Sequence, residues 1–545
     1  MMKESYVGLV NESLETNWDL KAFSDYEGGT YSFAEVASHI HYLHQLYQKC
    51  GIKAGDKIAI YGRNSSNWAI AYLSVITYEA IVVPILPNFG PNEVHHLMNH
   101  SESCFVFASQ SLWEALDASK MLTIMMSISL DDFSCLYATQ DTFLDNVEEF
   151  NRIKSNLQDK TCINWQVPSN DKLLAIIYTS GTTGFSKGVM LTHNSITANI
   201  VFSRNHMLLK PGDRILSLLP LAHAYGCSIE FLYPFTLGCH ITFLGKTPSP
   251  QVLMRAFSEV KPRLILSVPL ILEKIYKTQV KATLSTPRMK IFLGIPFIEN
   301  IVYKKVLQKL LDFFGDNFIE LIIGGAALNE EVQIFLRKIR FPFTVGYGTT
   351  ECGPLITYAP WYENRLNSCG RCVDTLEMKI DSADPQKEVG EILVKGENVM
   401  VGYYKNPEAT RETFTNDGWL RTGDLGIMDS DGFLYIKGRI KSLIVGPSGQ
   451  NIYPEEIESI INNWPYVTES LVVERKNQLV ALIYPNMEEA DKDKIGENQL
   501  SESYNKLREE MNKKIPAYMN VSRIEIYPHE FENTPKNSIK RFLYS

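Results

Sequence analysis

Short apolar runs alternate with amphipathic stretches over the first 170 residues. Asp56-Lys-Ile-Ala-Ile-Tyr61, Ala80-Ile-Val-Val-Pro-Ile-Leu86 and Cys104-Phe-Val-Phe-Ala108 have the length and composition of buried strands. Between them, the stretch from Tyr31 through Tyr47 and the one opening at Ser66-Asn-Trp-Ala have helical spacing. Strands alternating with helices predict an α/β fold, a parallel-rich sheet covered by helices. Residues 111–165 show little periodicity, and no chemistry is placed there. Further on, Leu173-Leu-Ala-Ile-Ile177, Ile215 through Gly226, Leu264-Ile-Leu-Ser-Val-Pro269, Leu321-Ile-Ile and the approach to Val345 read as buried strands. The last hundred residues differ. A helix opens with Pro454-Glu-Glu-Ile457. Leu471–Glu474 and Leu479–Tyr484 read as paired strands, 486–497 as a charged connection, and 498–514 as an amphipathic helix. That pattern predicts a separate small α+β unit over 442–545.

A chain of 545 residues, 45% hydrophobic, can bury a large core and form more than one domain. A formal charge of -9 argues against a general nucleic-acid binder but leaves room for a local basic pocket. Met1-Met-Lys-Glu-Ser-Tyr6 lacks a basic-then-apolar leader, and no run approaches the ~18–20 apolar residues of a membrane span. Nine scattered cysteines read as reduced thiols, so a cytoplasmic protein is expected. The spacing of Cys369-Gly-Arg-Cys372 is weak evidence for a metal or redox site without a second pair. Lys281 to Phe314 mixes basic, aromatic and aliphatic residues. It suits peripheral contact with the inner face of a membrane, a hydrophobic substrate entrance, or a packed helix with a solvated face.

The stretch Tyr178-Thr-Ser-Gly-Thr-Thr-Gly-Phe-Ser-Lys-Gly-Val-Met190 carries the clearest chemistry. Three glycines, five Ser/Thr hydroxyls and one lysine lie between a strand and a helix that Asn194 is placed to cap. Thr179, Ser180, Gly181, Thr182, Thr183 and Gly184 can turn hydroxyls and amides toward one point, and Lys187 adds positive charge, which suits a polyphosphate. Gly188 follows the lysine where the common nucleoside-triphosphatase loop has a Ser or Thr for magnesium, so that loop is disfavoured.

The loop resembles the phosphate-loop signature of adenylate-forming enzymes, the superfamily of acyl-CoA synthetases, peptide-synthetase adenylation domains and luciferases. Other stretches continue the resemblance in family order. Gly324-Gly325-Ala326 lacks side chains, so a flat base can lie against backbone. Tyr347 offers that base a ring, and Gly348-Thr349-Thr350-Glu351 completes the segment. The resemblance implies that Thr350 donates to a phosphate oxygen and that Glu351, with Thr182, holds magnesium. Gly348 and His223 are expected at the acyl substrate, although a hydrogen-bonded structural role fits His223 equally. Gly370-Arg371 matches the pair preceding the family's next sheet. Trp419-Leu-Arg-Thr-Gly-Asp424 is similar to the fatty-acyl-CoA branch, with Asp424 on the ribose hydroxyls and Arg439 reaching the same sugar. Asp429 and Asp431 read as solvated turn residues.

The resemblance implies a large AMP-binding domain over 1–438, a hinge at 439–441 and a mobile small domain over 442–545. The family usually places an adenylation lysine near the C-terminus. Here that position falls near Ser538, flanked by Lys536 and Lys540, of which Lys540 is preferred. The implied reaction is ATP- and Mg²⁺-dependent activation of a medium- to long-chain fatty acid to acyl-AMP, then transfer to coenzyme A. The apolar stretches 215–222 and 264–269 are expected to line the acyl site. The alternatives are the same fold acting on another carboxylate, loading of a carrier protein, or a nucleotide-binding protein without ligase activity.

Overall fold

The computed structural model describes residues 1–179, 186–246, 249–446, 450–476, 478–533 and 539–544. Two sheets form the centre of the large unit. The first runs Gly402–Tyr403, Lys187–Thr192, Leu173–Thr179, Ile81–Ile85, Lys57–Tyr61, Ser103–Ala108, Met126–Ser129, Cys135–Ala138. Its middle is parallel and its margins antiparallel. The second runs Phe343–Val345, Glu320–Ile323, Leu264–Ser267, Arg214–Ser217, His240–Phe243, Lys21–Asp25, Thr30–Ser32, and only its last pair is antiparallel. Parallel strands must be buried on both faces, and helices supply the cover.

Local signals set the element ends. Helix Phe33–Lys49 starts at a capping box: Glu35 N donates to Ser32 Oγ at 3.2 Å, and Ser32 N donates to Glu35 Oε2 at 2.7 Å. Its Val36, Ile40, Leu43 and Tyr47 recur at helical spacing and are fully buried. An antiparallel four-stranded sheet, Leu376–Asp381, Gly390–Gly396, Leu420–Met428 and Leu434–Arg439, ends the large unit. The chain then passes through a short turn, Ile440–Ser442.

Beyond it lies the α+β unit, with helices Pro454–Ile461 and Glu497–Asn512 against strands Val467–Arg475, Gln478–Pro485 and Val521–Ile526. It has its own core of Ile457, Ile461, Val472, Ala481, Tyr504, Leu507 and Met511. Polar contacts link it to the large unit. Lys437 pairs with Glu456 at 3.4 Å, Lys277 Nζ donates to Asn462 O at 3.1 Å, and the side chains of Asn329 and Asn463 meet.

Four expectations change. The apolar run 215–226 is not one strand: the strand stops at Ser217, and the chain is helical from 224, with a π-helical stretch at Gly226–Leu232. Fully buried Glu230 draws the chain off the ladder, accepting from the Ser217 hydroxyl and the Leu218 and Leu219 amides, each at 3.0 Å. Pro220 has no amide to continue it. The weakly periodic region 111–165 holds two strands and helix Asp141–Ile153, whose Phe143, Val147 and Phe150 are buried amid acidic neighbours. The connection 486–497 contains a short helix, Met487–Lys492, that buries Ala490. Finally, Asp429 and Asp431 are not merely solvated: Arg365 bridges them at 2.7 and 2.6 Å and pins the turn. Among the described residues, no helix is long and apolar enough to cross a membrane.

Candidate active site

The glycine-rich loop joins two strands rather than a strand and a helix. Leu173–Thr179 pairs antiparallel with Lys187–Thr192, with Thr179 opposite Lys187 and Tyr178 opposite Gly188. The helix His193–His206 begins only after that second strand. Its cap is Thr192, whose Oγ1 accepts from Ser195 N at 3.1 Å. Asn194 instead accepts from Met2 N at 2.7 Å and donates to Glu397 Oε2 at 2.5 Å. The second strand forms because Val189, Leu191 and Thr192 have a buried slot between Leu173–Thr179 and Gly402–Tyr403. Gly188 is required at the hairpin root, where a Cβ would lie 2.9 Å from Ile176 Cγ2 and 3.2 Å from the Tyr178 ring. Ser180, Gly181, Thr182, Thr183 and Gly184 lie outside the described residues.

Lys187 stands at the mouth of this hairpin, its Nζ 4.8 Å from the centre of the Tyr403 ring. The Tyr403 hydroxyl donates to Glu351 Oε1 at 2.9 Å. Burial, and then the Glu351 charge, push the Tyr403 phenol above the usual tyrosine range, so it stays a donor. The pair thus brings Lys187 and Glu351 to one aromatic ring. Tyr403 was not singled out from the sequence. Its only signal was an aromatic after a glycine, some fifty residues beyond Glu351 in the chain.

A second chain of contacts runs through Tyr347, Asp424 and Arg439. Asp424 is 4% exposed; its Oδ2 accepts from the Tyr347 hydroxyl at 2.7 Å and its Oδ1 from Arg439 Nε at 2.9 Å. The register opposes Asp424 to Arg439 across two antiparallel strands, which explains the pairing. Asp424 holds the Arg439 guanidinium above its ordinary value, while burial and then Asp424 push the Tyr347 phenol up. Tyr347 is therefore more than a ring: its hydroxyl is committed to Asp424.

The segment between these groups is tightly constrained. A Cβ at Gly348 would fall 2.1 Å from Pro354 O, so only glycine fits that close approach. Thr350 is buried in the turn Thr350–Cys352, after Thr349. Buried Asn199 holds this turn from the neighbouring helix, donating to Cys352 O at 3.0 Å and accepting from Leu355 N at 2.9 Å. Of the three small residues after Glu320–Ile323, Gly325 and Ala326 are exposed, and Gly325 adopts φ +87. Gly324 is small for another reason, since a Cβ there would sit 2.9 Å from Tyr225 Cζ. Only Gly325 and Ala326 keep an open face for a planar group.

His223 is half-buried beside this region. Its Nδ1 accepts from Tyr225 N at 3.3 Å, which puts the ring proton on Nε2. Of the stretches expected to line an acyl site, 215–217 and 264–267 are interior strands of the second sheet, so core burial alone accounts for the apolar character of those residues. Lys540 lies apart from these groups. Its amide donates to Glu532 O at 2.8 Å and its Nζ pairs with Glu532 Oε2 at 3.5 Å, both within the small unit. Lys536 lies outside the described residues.

Comparison with known proteins shows the family. The family model "AMP-binding enzyme" matches residues 10–404, and "AMP-binding enzyme C-terminal domain" matches 441–544. The long-chain-fatty-acid–CoA ligase FadD15 of Mycobacterium bovis is 29% identical over 462 residues, spanning 81% of this chain and 74% of that protein. The long-chain-fatty-acid–CoA ligase ACSBG2 of Gallus gallus is 29% identical over 463 residues, 78% of this chain and 59% of its own length. Among solved structures, the o-succinylbenzoate CoA synthetase (MenE) of Bacillus subtilis, in complex with the acyl-adenylate intermediate OSB-AMP, has a TM-score of 0.77 at 22% identity. It covers 100% of this chain and 99% of its own, a likeness of fold. With both family matches falling on the large and small units just described, the chain belongs to the AMP-binding enzymes, as an adenylate-forming acid–thiol ligase of the acyl-CoA synthetase kind.

Proposed function

We propose that the protein activates a medium- to long-chain fatty acid with ATP and transfers the acyl group to coenzyme A. The observation that carries this reading is the gathering of Lys187 and Glu351 around Tyr403, in a chain whose relatives include long-chain-fatty-acid–CoA ligases. A carboxylate oxygen of the substrate attacks the α-phosphorus of ATP, and pyrophosphate leaves. The coenzyme A thiolate then attacks the acyl carbonyl carbon, and AMP leaves. Neither step needs a protein nucleophile. The chain's residues position two anions and offset their charge.

In this reading Lys187 and the hydroxyls of residues 179–183 hold the polyphosphate. Thr350 donates to a phosphate oxygen, Asp424 and Arg439 hold the ribose, and Tyr347 with Gly325-Ala326 borders the base. Gly348 and Thr349 border the nucleotide, and Gly348 with His223 borders the reacting carboxylate. Glu351, with Thr182, would hold Mg²⁺, which neutralises phosphate charge when bound. No three His, Cys, Asp or Glu among the described residues are grouped to hold a metal. One carboxylate suits an ion that takes its other ligands from phosphates and water. Lys540 (or Lys536) serves adenylation when the small domain, 442–545, turns about 439–441 against the large domain, 1–438.

The test is carboxylate-dependent ATP–pyrophosphate exchange, then thioester formation, over acids from acetate to palmitate. Each methylene buried contributes about 0.8 kcal/mol, so exchange should rise with chain length until the site is full. Acetate, o-succinylbenzoate or anthranilate outrunning decanoate and palmitate would transfer the reading to another carboxylate. Lys187→Ala should lower exchange by ~10²–10³, and unchanged exchange would remove Lys187 from the phosphate site.

A further inference from the structure

One face of the large unit fits neither the core nor the ligase site. Between Lys274 and Lys309 the chain carries eight Lys/Arg and one acidic residue, Glu299, in a protein of net charge -9. The segment folds as consecutive helices, among them Pro287–Leu293 and Pro296–Phe313. The second helix is two-sided. Leu310 and Phe313 are buried in the second core, and Tyr303, Val306 and Leu307 pack against it. Phe297 and Ile301 lie on the opposite side, 77% and 42% exposed, with Lys304 and Lys305 next along it. Ile291, Phe292 and Ile295, on the preceding helix and turn, are 67%, 45% and 44% exposed.

Five large apolar side chains within eleven residues are thus left to solvent, although the other side of Pro296–Phe313 found a core. Exposed apolar side chains clustered in this way mark a contact surface. The surrounding cations define the contact further. Lys281 is engaged by Glu331, but Arg288, Lys304, Lys305 and Lys309 are exposed and form no ion pair with the described residues. Bulky apolar residues flanked by uncommitted lysines are what an interfacial helix presents to lipid: the apolar groups enter the acyl boundary while the cations meet anionic headgroups. An acidic protein partner would answer the charge but would not need aromatic insertion at an outward helix start.

We propose that this face, centred on Phe297 and rimmed by Arg288, Lys304, Lys305 and Lys309, docks the protein on an anionic lipid bilayer. The helix Pro269–Ile275 at its edge reaches the candidate site, since Glu273 Oε1 accepts from Asn329 N at 3.0 Å, just beyond Ala326. Docking would therefore bring the acyl entrance near lipid, a consequence that rests on the fatty-acyl reading above. The docking itself does not.

Full-length protein is sedimented with vesicles of phosphatidylcholine alone and of phosphatidylcholine with phosphatidylglycerol, at low and high salt. Binding to the anionic vesicles, reduced by salt and weak on phosphatidylcholine, is expected. Phe297→Asp with Ile291→Asp should abolish it. Lys304→Glu with Lys305→Glu should weaken it by about fivefold per charge removed, with thermal unfolding of each variant confirming the fold. Octanoate-dependent exchange, whose substrate arrives from water, should persist in both variants. Its absence from the unaltered protein would overturn the fatty-acyl reading and leave the vesicle result standing. Failure of the unaltered protein to bind anionic vesicles overturns the docking proposal. So does equal binding by the folded variants. A concentration-dependent dimer abolished by Phe297→Asp would do the same, by making a second copy the occupant.

Discussion

Tyr403 touches two opposite charges at the site. Its ring faces the Lys187 ammonium, and its hydroxyl donates to Glu351. A hydrogen bond to a charged group contributes about 1.5–3 kcal/mol. Tyr403→Phe, which keeps the ring, should therefore raise the Mg²⁺ concentration needed for half-maximal exchange by roughly tenfold. Tyr403→Leu, which removes the ring too, should in addition weaken ATP binding measured by calorimetry. An unaltered Mg²⁺ titration for the Phe variant would show that the hydroxyl serves packing only. Lys187 was singled out by the composition of its loop, and Glu351 and Asp424 by the family resemblance. Tyr403 was not, because a lone aromatic has no signature until the strand Gly402–Tyr403 pairs beside the hairpin and brings its ring to Lys187.

At the scale of elements, the turn after Arg214–Ser217 shows how one buried group can override a run of apolar residues. Burial raises the Glu230 carboxyl from the usual carboxylate range to about 8, even though one of its oxygens accepts three hydrogen bonds. The native state therefore holds a proton that the unfolded chain releases near its ordinary value. That contribution to stability is complete below the unfolded pKa and is lost as pH rises through the folded one. The melting temperature should fall from pH 5 to pH 9, and Glu230→Gln should flatten that decline. An equally steep fall in the Gln variant would assign the dependence to other carboxyls, such as Glu320, pushed up to about 7 by burial. The same element scale explains the hairpin. Gly188-Val-Met-Leu191 is short and apolar, and only a free edge beside Leu173–Thr179 makes it a strand.

For the whole molecule, the relation between the two units decides which groups can meet. Here the small unit rests on Lys277, Asn329 and Lys437, and Lys540 pairs with Glu532. If the small domain turns between two working positions, Lys540→Ala should depress ATP–pyrophosphate exchange by ~10²–10³ and spare conversion of supplied acyl adenylate to thioester. Lys441→Pro, by fixing a backbone angle, should do the reverse. Separate assays of the two half-reactions check this, and equal loss of both steps in Lys540→Ala would point to a folding defect instead. The sequence by itself determined the alternation of strands and helices, the separate small unit and which groups are candidates for the site, because period, capping and loop composition are local properties. The tertiary structure decided what those patterns left open. It turned an expected strand–loop–helix into a hairpin and broke the run 215–226 at a buried carboxylate. It joined Tyr347 to Asp424 across 77 residues of chain. Each of these depends on a partner distant in sequence, whose burial and hydrogen bonds outweigh local preference once the chain has folded.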